Sequence, residues 1–188
     1  MSDSFSDDVQ AAPGASLSPG DDHGPTATHT YVRLFVVVAA LTLVVDQVTK
    51  VLAVEKLQGR DSIELIPHVL SLSFLRNGGA ALGTGAGFTL VLSVVAVAVS
   101  IAVARMATRL RDPWWAVGLG LLFAGAVGNL CDRIFREPAP LKGHVVDFID
   151  YGVFVGNVAD IALTVAAVVI VWRTWRGIGL DGTRQVKP

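Results

Sequence analysis

Four long apolar runs divide this chain: Tyr31 to Ala53, Ala80 to Ala104, Pro113 to Cys131 and Asn157 to Trp175. The second and third carry no charge, and the fourth carries Asp160 near its start. At 1.5 Å of rise per residue, each is long enough to cross roughly 30 Å of hydrocarbon as an α-helix. Ala and Val dominate them, which suits close helix packing in lipid. A soluble bundle would need polar helix faces, and these runs lack them. The pattern predicts an all-α membrane protein with four transmembrane helices.

The connections between the runs are patterned too. Leu70-Ser71-Leu72-Ser73-Phe74 alternates with period two, as a half-buried strand does. Ile63 and Leu65 supply a partner strand before the break at Pro67, and Val145 to Phe154 is rich in β-branched and aromatic residues. These segments predict a small sheet lying on one surface of the membrane.

Charge sets the orientation. Arg105, Arg109 and Arg111 crowd the short link between the second and third runs. Arg173, Arg176, Arg184 and Lys187 accompany the end of the fourth, and Arg33 stands at the start of the first. By the positive-inside rule, both termini and the short link face the cytoplasm. The longer connections, about 51–79 and 132–156, then lie outside. Residues 1–30 hold five Asp and no Lys or Arg, and they read as a disordered acidic cytoplasmic tail. Residues 31–176 form the membrane domain, and 177–188 form a second cytoplasmic tail. The one cysteine, Cys131, excludes an internal disulfide and a zinc cluster.

Polar residues converge at one depth. Asp46 lies thirteen residues after Arg33, and Asp160 thirteen before Arg173, so each is about 20 Å from the basic end of its helix. Asn129, Asp132 and Arg133 end the third run, Asn77 leads into the second, and Asp147 lies in the last connection. Each has an ordinary reading alone. Asp46 and Lys50 form an i,i+4 pair. Asp132 and Arg133 are interfacial charges. Asn157 is a helix N-cap, with Asp160 stabilising the first turn. Together, five segments bring polar groups to one level, which packing alone does not require. Carboxylates near lipid usually have a partner and a job. Two of them side by side can divide into an acid and a base.

These residues fall into five motifs: Asp46-Gln-Val-Thr-Lys50, Asn77-Gly-Gly-Ala-Ala81, Gly128-Asn-Leu-Cys-Asp-Arg133, Val145-Val-Asp-Phe148 and Asn157-Val-Ala-Asp160. In order and context, from about residue 31 to 175, they resemble the lipoprotein signal peptidases, or signal peptidase II. The resemblance implies a bacterial aspartic peptidase of the plasma membrane, with four transmembrane helices and a small extracytoplasmic β-cradle. It implies cleavage of prolipoproteins just before a cysteine carrying diacylglycerol.

Asp147 and Asp160 match the family's catalytic pair. Asn129 and Arg133 match positions lining the site, and Asn157 shares a motif with Asp160. Asp46, Lys50, Asn77 and Asp132 match supporting positions. The partners implied are the diacylglyceryl-modified precursor and membrane lipid, with no cofactor, metal or nucleic acid and a monomeric enzyme. Three departures stand out: Gly156 where an aromatic residue is frequent, Leu82 where Phe is frequent, and a short interval between the two aspartates.

The implied chemistry is hydrolysis without a covalent intermediate. One ionised aspartate takes a proton from water while the protonated one assists the carbonyl and then the leaving amine. The pair titrates as a unit, so sequence leaves open which is base. Cys131 as nucleophile would need an activating base, and the cysteine that matters belongs to the substrate. An ion-coupled transporter would also want intramembrane acids, but more often with internal repeats and acids near the midplane. A non-catalytic scaffold would tolerate Asn at every one of these Asp positions.

Overall fold

The computed structural model describes residues 26–79 and 86–184. The expectations for the acidic tail before residue 26, for Ala80, Ala81 and Leu82, and for Lys187 lie outside the described residues. Among the described residues eight elements follow in chain order: α1 (Thr26–Leu57), β1 (Ile63–Ile66), β2 (Leu70–Asn77), α2 (Ala86–Ala107), α3 (Pro113–Phe135), β3 (Val145–Asp150), β4 (Val155–Gly156) and α4 (Val158–Trp175). All four helices are long and apolar enough to cross a membrane. α1 begins at Thr26, five residues before its apolar span opens at Tyr31.

α3 is the central helix, packed against α1, α2 and α4 and the most buried of the spans. Its start is dictated locally: the Asp112 side chain accepts from the Trp115 N–H at 2.9 Å, and Pro113 follows the cap. Glycines let its neighbours approach. A Cβ at Gly128 would lie 2.5 Å from Asp46 Oδ2, so only glycine leaves room for α1's carboxylate there. The outward faces remain apolar and bare: Leu41, Val44, Val94, Val168 and Val171 are all more than half exposed. Such faces suit lipid and not water.

The strands form one antiparallel sheet in the order β1-β2-β3-β4. Its anchor to the helices is a buried cluster of Ala53 and Leu57 from α1 with Val146 and Phe148 from β3. A second cluster lies at the opposite end of the bundle, where Phe35, Val103, Ala107, Leu110, Trp115 and Leu119 meet. The start of α1, the α2–α3 link and the end of α4 therefore share one end, and the sheet occupies the other.

Residues 177–184 pack back against the bundle at that shared end. The Arg111 N–H donates to the Leu180 carbonyl at 2.8 Å, and Trp115 Nε1 donates to the Ile178 carbonyl at 2.9 Å. The buried Arg173–Asp112 ion pair sits beside this fold-back. Leu180 packs on the apolar cluster, which draws in the start of the segment expected as a C-terminal tail.

Candidate active site

β3 alternates. Val146 and Phe148 turn into the anchor cluster, so Val145 and Asp147 turn the other way, into a cavity of about 640 Å³. Asp160 enters the same cavity from the first turn of α4. There Asn157 caps the helix: its side-chain Oδ1 accepts the Asp160 N–H at 3.2 Å, and Asp160 Oδ2 accepts the Asn157 N–H at 3.0 Å. This reciprocal pair is a capping box, and it fixes the carboxylate at a helix N-terminus. Asn77, Asn129, Arg133, Arg76 and Phe154 also line the cavity.

Three asparagine amides hold the two carboxylates. Asn77 Nδ2 donates to Asp147 Oδ2 at 2.8 Å, and Asn157 Nδ2 donates to Asp147 Oδ1 at 2.6 Å. Asn129 Nδ2 donates to Asp160 Oδ1 at 3.1 Å. Asp147 is 2 % exposed, and burial pushes its carboxyl up to about 6. The Asn77 hydrogen bond opposes that rise, the nearby Asp160 adds to it, and Asn157 and Lys50 oppose it further.

Behind the aspartates lies an ionic cluster. Lys50 Nζ is 2.9 Å from Asp46 Oδ2, 3.1 Å from Asp132 Oδ2 and 2.9 Å from Asn129 Oδ1, and all of these groups are buried. Asp46 Oδ1 accepts the Ala159 N–H at 2.9 Å, tying α1 to the first turn of α4. Asp132 Oδ2 accepts the Val146 N–H at 3.1 Å, tying α3 to the strand residue beside Asp147. Arg133 donates from Nη1 to the Asn129 backbone carbonyl at 3.2 Å, and its buried Nε has no hydrogen-bond partner among the described residues.

All nine residues singled out by sequence are thus in one assembly. Asp147, Asp160, Asn77, Asn129 and Arg133 face the cavity, Asn157 bridges the aspartates, and Asp46, Lys50 and Asp132 stand behind. The simple helix pair expected of Asp46 and Lys50 is one edge of a larger network. Cys131, half-buried, is not among the cavity residues.

Four contributors were missed. Arg136 binds Asp132 Oδ1 at 2.6 Å, a contact its i,i+4 spacing signals. Gln47 spans Asp46 Oδ2 and the Gly128 carbonyl, at 3.0 and 3.1 Å. Arg76 carries no signal beyond its place next to Asn77. Phe154 bears on the departure at Gly156: a Cβ there would stand 3.0 Å from Phe154 Cε2 and 3.1 Å from Asp160 Oδ2. The aromatic wall comes from two residues upstream, stacked on Tyr151.

Comparison with known proteins bears on this site. Residues 38–176 match the family model described as signal peptidase (SPase) II. The lipoprotein signal peptidase of Mycolicibacterium smegmatis is 42% identical over 172 residues, 91% of this chain and 73% of that protein. That of Rhodococcus jostii is 45% identical over 159 residues, 84% of this chain and 80% of that protein. A bacterial membrane enzyme solved by the in meso method at 1.9 Å superposes with a TM-score of 0.65 at 32% identity, covering 74% of this chain and 91% of that one. A second, solved at 2.3 Å, gives 0.65 at 30% identity, covering 81% and 94%.

Proposed function

The chain belongs to the signal peptidase II family, and from that premise we propose that it is a membrane aspartic endopeptidase acting through Asp147 and Asp160. Membership makes it a multi-pass membrane protease of bacterial lipoprotein processing. The substrate is a prolipoprotein whose cysteine carries diacylglycerol, and the bond cut is the one just before that cysteine.

The observation that carries the mechanism is that Asp147 and Asp160 reach one open cavity from different elements, each held by asparagine amides. One carboxylate takes a proton from a water held between them. The other, protonated, donates to the scissile carbonyl and then to the departing amine. Burial of Asp147 supports a shared proton near neutral pH, because two adjacent carboxylates resist ionising together. Arg133 lines the cavity, and its Nε, without a partner among the described residues, is free to receive a substrate carbonyl or the tetrahedral oxyanion.

The basic residues at the end away from the sheet support a reading with both termini in the cytoplasm and the cavity at the extracytoplasmic face. Every group of the proposed site comes from one chain, which supports a monomeric enzyme. The test is purified enzyme in micelles with a lipidated precursor. Wild type shortens it. Asp147→Asn and Asp160→Asn accumulate in the membrane and leave it intact. Near wild-type turnover by either variant would overturn the aspartate pair.

A further inference from the structure

Resting on that reading, we infer that Lys50 is the positioning residue of the aspartate pair, its buried ammonium setting which way the Asn129 amide faces and so which end meets Asp160.

An amide has two chemically opposite ends of nearly equal size. What decides its direction is the partner that accepts only one of them. For Asn77 the decision is made by backbone: its carbonyl accepts the Gly79 N–H at 2.8 Å, which leaves the NH₂ for Asp147. For Asn157 it is again backbone: its carbonyl accepts the Asp160 N–H, which leaves the NH₂ for Asp147 and for Asn129 Oδ1 at 3.2 Å. The Asn129 side chain takes its direction from other side chains. An ammonium has protons and no lone pair, so only the carbonyl end can face Lys50. The NH₂ end is then delivered to Asp160.

Lys50 is itself held where this works. Asp46 from α1 and Asp132 from α3 take two of its three donors, and Asn129 takes the third. The Lys50 side chain is fully buried, so no water competes for these bonds. The charged groups around it are Asp46 on its own helix, Asp132, Arg133 and Arg136 on α3, Asp147 on β3 and Asp160 on α4. Asp46 and Asp132 are matched by Lys50 and by Arg136 at Asp132. Asp147 and Asp160 lie one asparagine further out, within reach of the ammonium's field. A cation there favours the carboxylate form of Asp147.

A purely structural salt bridge predicts something different from a positioning role. Loss of a structural pair lowers the amount of folded enzyme and leaves the pH dependence of each folded molecule alone. Loss of the amide's director changes the carboxylates themselves.

The experiment measures kcat and KM against pH for full-length Lys50→Met and Lys50→Gln, using diacylglyceryl-modified precursor in micelles. Folded enzyme is quantified, and Asp147→Asn and Asp160→Asn are run beside them. For Lys50→Met, kcat falls roughly tenfold or more, KM changes little, and the whole profile moves to higher pH. Lys50→Gln still donates to Asn129 Oδ1 and recovers part of kcat. An unchanged profile in Lys50→Met, or a Gln enzyme no better than the Met one, overturns the inference. Should Lys50→Met fail to accumulate, Lys50→Gln is read alone: a lowered kcat with the profile moved to higher pH supports the inference, and an unchanged profile overturns it. Inactive aspartate variants beside an unchanged Lys50→Met profile remove this inference alone. An active aspartate variant removes the dyad and this inference with it.

Discussion

Asn157 stands 2.6 Å from Asp147, its Nδ2 donating to Asp147 Oδ1, while its own side-chain Oδ1 accepts the Asp160 N–H at 3.2 Å. One side chain therefore ends the loop before α4 and ties the strand carboxylate to the helix carboxylate. The two roles separate by substitution. Serine is a good N-cap but has no amide to reach Asp147. Asn157→Ser should fold with near wild-type thermal stability and lose most of its turnover. Asn157→Ala should lose turnover and also about 1 kcal/mol of stability. Thermal unfolding in micelles beside a precursor-cleavage assay reads both, and a fully active serine enzyme would separate Asn157 from the chemistry.

Burial holds the Asp147 proton up to about 6, well above the ordinary carboxylate range. The sign follows: below that value Asp147 is protonated, and above it Asp147 ionises and the shared proton is lost. For the free enzyme, kcat/KM should therefore decline on the alkaline side. Substrate that covers the cavity excludes water and favours the neutral form further. The alkaline limb of kcat should accordingly lie at higher pH than that of kcat/KM. Both limbs are apparent values of the coupled pair. Profiles with coincident alkaline limbs would show that bound substrate leaves the pair's solvation unchanged.

Much of this was legible in the chain because lipid imposes simple rules. A helix that faces hydrocarbon must be apolar over its whole span, so α1 to α4 announce themselves by length and composition. β2 was visible through its alternation from Leu70 to Phe74. The short β4, Val155–Gly156, has too few residues to show a period. Asp46 and Asp160 stood out because a carboxylate in an apolar run has no cheap explanation. Nothing local revealed that Asn129 joins Lys50 to Asp160, or that Asp132 reaches the Val146 backbone. Those contacts span 14 to 79 residues and exist only once α1, α3, α4 and β3 are packed. Residues 177–184 read as a tail because their docking rests on long-range contacts: the Arg111 and Trp115 hydrogen bonds to the Leu180 and Ile178 carbonyls, and Leu180 on the apolar cluster.

Topology has a direct chemical test. Arg109 in the α2–α3 link and Arg60 after α1 are both exposed and lie at opposite ends of the bundle. In a Cys131→Ser background, Arg60→Cys should react with a membrane-impermeant thiol reagent in intact cells. Arg109→Cys should react only after the membrane is opened. This outcome follows from the basic residues at the α2–α3 end. The opposite labelling pattern would place the aspartates at the cytoplasmic face and end the proposed orientation.

Lipid on the substrate should govern its rate of cleavage. The aspartate cavity lies at the sheet end of the bundle, where helices meet the membrane surface, and a second apolar trough shares Asp160 with it. That trough runs over Ile161, Thr164 and Val165 on the outward side of α4, below Tyr151 and Phe154. Acyl chains can stay in hydrocarbon there while the attached peptide meets the carboxylates. Each buried CH₂ is worth roughly 0.8 kcal/mol, and that energy is kept only if the chains never leave lipid. A precursor whose cysteine lacks diacylglycerol gives up this anchorage and arrives with its scissile bond unconstrained in depth. At matched concentration in the same micelles it should be cut far more slowly than the modified precursor, with the loss appearing mainly in kcat/KM. Equal rates for the two precursors would mean that the lipid is not read, and that the cavity serves a membrane peptidase of broader choice.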